Sequence, residues 1–218
     1  MFDFAVFKFE LEMPRIVAVI VGHSYVKRLA EEYGSGRLPH RGPVELELKF
    51  VGIGGGRVCP GDPRKDLFMV INEVKAYHPD LVFIQAGEND LPFESQRAVF
   101  ENLLSFAKAI AQECRPHTVI TGQLIHFPVH DPLGPVSKRI NDSLEAHYPR
   151  DSPPMVGITR LRYWWHKAGL YGENRRNYFA RDDVHLNVRG MAKFYRSIMA
   201  ALGKRAREIL LEWESANH

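Results

Sequence analysis

Residues 16–21, Ile-Val-Ala-Val-Ile-Val, contain no polar side chain, and all but Ala18 are β-branched. A strand that faces water on one side alternates polar and apolar residues. This run does not alternate, so it suits a strand covered on both faces, as in a parallel sheet. Gly22-His23-Ser24 ends it, and residues 25–33 then read as a helix that stops at Gly34. A buried strand passing directly into a helix is the opening unit of an alternating α/β chain.

The rest of the sequence repeats that alternation. Residues 44–51 alternate as a second strand and end in the glycine-rich turn Gly52-Ile53-Gly54-Gly55-Gly56. A helix is expected over 64–77, a third strand over 80–86, a long amphipathic helix over 93–114 and a fourth strand over 118–124. A loop rich in His and Pro follows at 126–135. Beyond it come a helix over 136–147, a short fifth strand over 155–161, an irregular aromatic stretch over 162–181, a helix over 188–202 and a basic amphipathic tail over 204–213. This order predicts an α/β fold: a single-domain three-layer α/β/α sandwich around a parallel sheet of about five strands. In such sheets ligands bind beyond the carboxyl ends of the strands. Ser24, the glycine turn and Asn89 each follow a strand, so all three are expected on one rim.

The main domain is expected to span residues 14–218. Residues 1–13 stand apart, because Phe7, Phe9, Leu11 and Met13 alternate with Lys8, Glu10 and Glu12. They are either an extra edge strand suited to self-association as a homodimer, or a leader ahead of the main fold. The charged residues also interrupt any signal-peptide core. No apolar run approaches the roughly 20 residues of a membrane span. With 45% hydrophobic and 25% charged residues, the 218-residue chain has an ordinary globular composition. Its net charge of +3 does not by itself imply a nucleic-acid partner. The two cysteines, Cys59 and Cys114, cannot build a disulfide framework. A reducing compartment, and hence a cytoplasmic location, is the expectation.

The glycine turn lacks the Gly-Lys-Ser/Thr of a phosphate loop and the spacing of a dinucleotide fingerprint. Acyl-transfer chemistry accounts for more of the sequence. A serine hydroxyl is a poor nucleophile until a base takes its proton. A histidine serves as that base when a carboxylate holds its tautomer and stabilises the imidazolium. Asp182-Asp183-Val184-His185 puts both groups in one short loop, and the three-residue spacing lets a turn present Asp182 and His185 on the same side. Asp183 is the rival partner for His185. Backbone N–H groups at the Ser24 helix start and in the glycine turn, together with the Asn89 amide, are candidate donors to a developing oxyanion.

In these blocks the chain resembles the SGNH (GDSL-like) hydrolase superfamily. Gly22-His23-Ser24, Gly52-Ile53-Gly54-Gly55, Gly87-Glu88-Asn89-Asp90 and Asp182-Asp183-Val184-His185 occur in the family's order, and Leu186-Asn187 and Gly190 follow. The resemblance covers roughly residues 15–203. It implies a flavodoxin-like sheet and an esterase or acetylesterase activity that needs no metal or organic cofactor. It also implies Ser24 as nucleophile, His185 as base and Asp182 as orienter, with an oxyanion hole of the Ser24 N–H, Gly55 and Asn89. The expected substrate is a small-molecule, carbohydrate or lipid ester with a short acyl group such as acetyl. The sequence departs from the family at His23, where Asp is usual, and at Gly56, where Asp or Glu is frequent. His23 either supports the serine turn as a neutral donor or weakens the site.

His23, His126 and Phe127 are substrate-pocket candidates. His126, His130 and Asp131 have loosely ligand-like spacing, but a loop lining the pocket rim explains them, and no metal is expected. Tyr163-Trp164-Trp165-His166 either walls the pocket or packs the core. The contrasting reading is an inactive SGNH-like module that binds carbohydrate or nucleic acid, of the kind associated with retroelements. Lys204, Arg205 and Arg207 would then be the place for phosphate contacts, and otherwise a solvated helix face.

Overall fold

The computed structural model describes residues 15–38, 46–125, 133–149, 154–166 and 177–217. The apolar run forms β1 (Ile16–Gly22) and passes through His23 into α1 (Ser24–Gly34). Then come β2 (Leu46–Gly52), a short α2 (Ile71–Ala76), β3 (Leu81–Gln85), α3 (Gln96–Cys114), β4 (Thr118–Gly122), α4 (Gly134–His147), β5 (Met155–Val156), β6 (Thr159–Trp164) and α5 (Val188–Asn217). The strands form one sheet in the order β2-β1-β3-β4-β6-β5. All neighbours are parallel except β5, which pairs antiparallel with β6 at the edge.

Both faces of the sheet are covered, which is why β1 needs no polar residue. Val19, Val21, Val82, Ile84 and Val119 pack with α3 and α4 residues such as Leu103, Phe106, Ile140 and Leu144. On the other face Ile16, Ala18, Ile20 and Phe83 pack with Tyr25, Val26 and Leu29 of α1 and with Phe194, Tyr195 and Ile198 of α5. The chain is therefore an α/β protein of three layers. The first connection runs from β1 to β2 on one side, and the second returns from β2 past β1 to β3 on the other. That reversal opens a crevice beyond the end of β1, the usual ligand position in such sheets.

The structure differs from the sequence reading in several places, each with a local cause. The expected helix over 64–77 is two 3₁₀ turns, Pro63–Lys65 and Leu67–Val70, ahead of α2. The Asp62 and Asp66 side chains accept from the Arg64 and Phe68 backbone N–H groups, so the chain restarts twice instead of propagating one helix. The long third helix begins at Gln96, where Ser95 caps the Ala98 N–H. The fifth strand expected over 155–161 is a hairpin, reversed at Gly157, which has φ +60°. Its return strand β6 runs through Trp164 into the stretch expected to be irregular. The basic tail continues α5 without a break to Asn217. Residues 1–14 lie outside the described residues. Among the described helices none is long and apolar enough to cross a membrane.

At the end of β1 the packing leaves no room for a side chain. A Cβ added at Gly22 would stand 2.0 Å from the Gln85 carbonyl oxygen on β3. Gly22→Ala is expected to force β1 and β3 apart and lower stability by about 1–3 kcal/mol. An unchanged urea midpoint in that variant would contradict the close approach.

Candidate active site

Ser24 is the first residue of α1, so its N–H has no acceptor within the helix. His23 caps the helix, its Nδ1 accepting from the Tyr25 N–H at 3.4 Å. The glycine turn lies beside it, held by the pairing of β2 with β1. The Gly56 N–H bonds the Ile53 carbonyl at 3.0 Å, with Gly55 at φ +71°. A residue with a side chain is strained at that angle, whereas glycine is not. Ser24, Gly54, Gly55 and His185 all line one cleft of about 670 Å³.

Local hydrogen bonds shape the His185 loop. Asp182 Oδ1 accepts from the Val184 N–H at 3.0 Å and the His185 N–H at 2.9 Å, and Oδ2 lies 2.7 Å from His185 Nδ1. Asp183 adopts φ +53° in the turn and is not the ring's partner. With Nδ1–H given to Asp182, Nε2 is the His185 nitrogen left to exchange a proton. The backbone bonds at His185 lower the Asp182 pKa, as do the ring contact and the Val184 N–H, while partial burial opposes them, and the net value is about 2. The loop is closed by the Ala180 N–H on the His185 carbonyl at 2.7 Å. Asn187 bonds the Phe179 carbonyl at 2.9 Å and caps α5 through the Gly190 N–H at 3.0 Å.

Two residues not singled out by sequence reasoning hold the site together. Buried Tyr25 donates its hydroxyl to the Val184 carbonyl at 2.6 Å, tying the His185 loop to the helix that bears Ser24. Buried Asp90 accepts from the Arg57 side chain at 3.2 Å and from the Val58 and Cys59 N–H groups at 3.1 and 3.0 Å. It thereby binds the Asn89 turn to the chain just after the glycine turn. The sequence signal was placement alone: Tyr25 follows Gly22-His23-Ser24, and Asp90 ends the Gly87-Glu88-Asn89-Asp90 block. Asn89 Nδ2 donates to the Gly56 carbonyl at 3.0 Å, which puts its amide against the glycine turn with a second N–H remaining.

His23 is 1% exposed and turned inward. The pocket role considered for it does not match this placement, since its ring bonds Glu88 and it is not among the described residues lining the cleft. Its Nδ1 lies 3.4 Å from Ser24 Oγ. Among the described residues no hydrogen bond joins Ser24 to His185, and the two share the cleft wall. His126, Phe127, His130 and Asp131 lie outside the described residues. Trp164 packs against the core, whereas Trp165 and His166 border a second hollow of about 760 Å³ that shares no described lining residue with the Ser24 cleft. Arg205 is buried and paired with Glu208, leaving Lys204 and Arg207 as the exposed cations of that group.

A parallel-sheet fold with a serine, a His–Asp pair and a glycine turn on one rim defines a class of hydrolase. The profile of the GDSL-like Lipase/Acylhydrolase family matches residues 20–193, and the chain belongs to that family. It is a carboxylic ester hydrolase. No curated protein matches it. Solved structures share the fold. A lipase/acylhydrolase from Enterococcus faecalis is 16% identical with a TM-score of 0.57, over 87% of this chain and 96% of that one. A carbohydrate esterase family 3 protein from Talaromyces cellulolyticus is 13% identical with a TM-score of 0.56, over 90% and 99%. A psychrotrophic esterase from Pseudoalteromonas sp. is 17% identical with a TM-score of 0.51, over 85% and 98%.

Two outcomes are expected from this geometry. Tyr25→Phe removes the tether to Val184 and should cost about 0.5–1.5 kcal/mol in denaturant unfolding, with a fall in ester turnover. Asp182 should stay ionised until the pH nears 2, as followed by carboxyl carbon NMR. Because its folded pKa lies below the ordinary value, its contribution to stability is complete above about pH 4 and disappears as the pH falls through about 2. An Asp182 that titrates near 4 would contradict the bonding described.

Proposed function

We propose that the protein cleaves short-acyl esters through an acyl-enzyme on Ser24. The supporting observation is that Ser24, the Asp182-bound His185 and the Gly54-Gly55 turn face a single cleft. Ser24 Oγ attacks the ester carbonyl as His185 Nε2 takes its proton, and Asp182 holds the ring and stabilises the imidazolium. The oxyanion is received by the Ser24 N–H, the Gly55 N–H and the free N–H of Asn89. His185 then protonates the departing alcohol, and water activated by the same nitrogen releases the acid. The Ser24–His185 bond forms with substrate in place, since catalytic hydrogen bonds are often long without it.

The cleft favours a polar alcohol. Lys27, Arg28, Glu31 and Glu32 of α1 line it alongside Ser24 and offer both donors and acceptors to hydroxyl groups. Leu186, Val188 and Met191 form an apolar side of the same cleft, where a short acyl group can lie. An acetylated, hydroxyl-rich compound such as a carbohydrate fits this lining, and the Talaromyces fold relative is described as a carbohydrate esterase.

Ser24→Ala should abolish hydrolysis of p-nitrophenyl acetate without changing the far-ultraviolet circular dichroism, and a fluorophosphonate should label the wild-type chain at Ser24. Retained turnover in the variant would defeat the assignment. The wild-type kcat/KM should fall on the acid side as the base is protonated, and a profile flat down to pH 4 would exclude a histidine base.

A further inference from the structure

Ser24 has a second imidazole beside it, and this one is also backed by a carboxylate. His23 Nε2 lies 2.8 Å from Glu88 Oε2, with the two side chains 1% and 0% exposed. Glu88 Oε1 accepts from the Gln85 amide at 2.6 Å and from the Ile125 N–H at 2.8 Å. The chain of bonds continues inward. His166 Nε2 meets Gln85 Oε1 at 2.7 Å, His166 Nδ1 meets Ser197 Oγ at 3.0 Å, and the Trp164 indole donates to Ser197 Oγ at 3.1 Å.

Gln85 sets the direction of these bonds. Its NH₂ donates to Glu88 Oε1 at 2.6 Å and to the Gln123 carbonyl at 3.0 Å, so its Oε1 faces His166. His166 therefore donates Nε2–H to Gln85 Oε1, and its Nδ1 accepts from the Ser197 hydroxyl, which itself accepts from the Trp164 indole. Burial pushes the His166 pKa down to about 4 against the opposing effect of Glu88, so that ring stays neutral. Burial alone would raise the Glu88 pKa, but His23 and the backbone N–H donors outweigh it and the net shift is downward. Glu88 Oε1 is taken by two N–H donors, and Oε2 accepts the proton carried on His23 Nε2. On its other side His23 Nδ1 faces the Tyr25 N–H, which only donates. Nδ1 must be the bare nitrogen, and it stands 3.4 Å from Ser24 Oγ.

We propose that Glu88 is a positioning residue for Ser24: it locks His23 in the Nε2–H tautomer, so that in the resting site Nδ1 accepts from the Ser24 hydroxyl and the Tyr25 N–H together, and the hydroxyl proton turns to His185 only when substrate is in place. The hydroxyl and the start of α1 are then held from the side opposite the cleft. This role rests on Ser24 being the nucleophile. The two His–carboxylate pairs divide the work by access. His185 lines the cleft and can return a proton to a leaving alcohol, whereas a proton placed on buried His23 has no path to it. His23 and Glu88 thus act on the geometry of Ser24 and leave proton transfer to His185.

Glu88→Gln preserves the shape and tests the tautomer. The amide oxygen must take the Oε1 position, where two N–H groups point, so its NH₂ faces His23 Nε2. The ring must then carry its proton on Nδ1 and present a donor to Ser24 and to the Tyr25 N–H. The full chain should be compared as wild type and E88Q for fluorophosphonate labelling rate, for kcat and KM on p-nitrophenyl acetate, and for thermal unfolding. We expect a folded E88Q whose labelling rate and kcat fall roughly 10–100-fold while KM changes by less than about threefold. A folded E88Q with labelling and kcat within about threefold of wild type would overturn the proposal. If E88Q does not fold, ¹⁵N-histidine NMR of the wild type decides: protonated Nε2 with bare Nδ1 at His23 supports it, and the reverse tautomer overturns it. A wild-type chain that does not label at Ser24 refutes the nucleophile assignment itself. One that labels beside an E88Q that labels equally fast refutes the positioning role alone.

Discussion

The site depends on how closely β1 and β3 approach at their carboxyl ends. Gly22 pairs with Gln85, and any side chain at Gly22 would enter the Gln85 carbonyl. That contact places His23 and Ser24 directly above the turn that follows β3. The His23 N–H then bonds the Gln85 carbonyl at 3.2 Å, and the Ile53 N–H bonds the Gly22 carbonyl at 3.0 Å. The Gly22-His23-Ser24 block is therefore fastened to its neighbours on both sides by main-chain bonds.

The turn Gly87-Glu88-Asn89-Asp90 distributes that constraint. Its two carboxylates are fully buried and face different parts of the rim. Glu88 reaches the helix start through His23 and the segment after β4 through the Ile125 N–H. Asp90 reaches the chain beyond the glycine turn through Arg57, Val58 and Cys59. Asn89 sits between them with its amide on the Gly56 carbonyl. A buried carboxylate is tolerated only when donors replace its lost water. Each of these has three: those of Glu88 come from three separate segments, and those of Asp90 from the consecutive residues Arg57, Val58 and Cys59. Such a network contributes more to a single geometry than to net stability, which suits a site whose donors must be in place before charge develops.

The third component arrives from the other end of the sequence. The Asp182–His185 loop is shaped by its own short-range bonds, but its position over α1 depends on α5 packing against the same face of the sheet as α1, and on the Tyr25 hydroxyl. Ser24 and His185, more than 150 residues apart in the sequence, thus come to line one cleft through one helix–helix layer and one tyrosine.

The sequence alone determined the α/β class, the buried first strand and the short blocks that follow the strands. Those features are written in local periodicity and in short blocks whose internal spacing is itself the geometry, as in Asp182 and His185. The short-range chemistry of Asp62 and Asp66 and the reversal at Gly157 were also local, but they fell at or within stretches that read as continuous elements. The tertiary structure decided what His23 does. Beside Ser24 it read as a departure from the family pattern, either a support for the turn or a weakness. Its partner Glu88 lies 65 residues away, and nothing in either local segment points to the other. Only the β1–β3 register brings them together. The reason is physical: a buried charge is defined by the donors that surround it, and those donors come from strands that are neighbours in the sheet and distant in the chain.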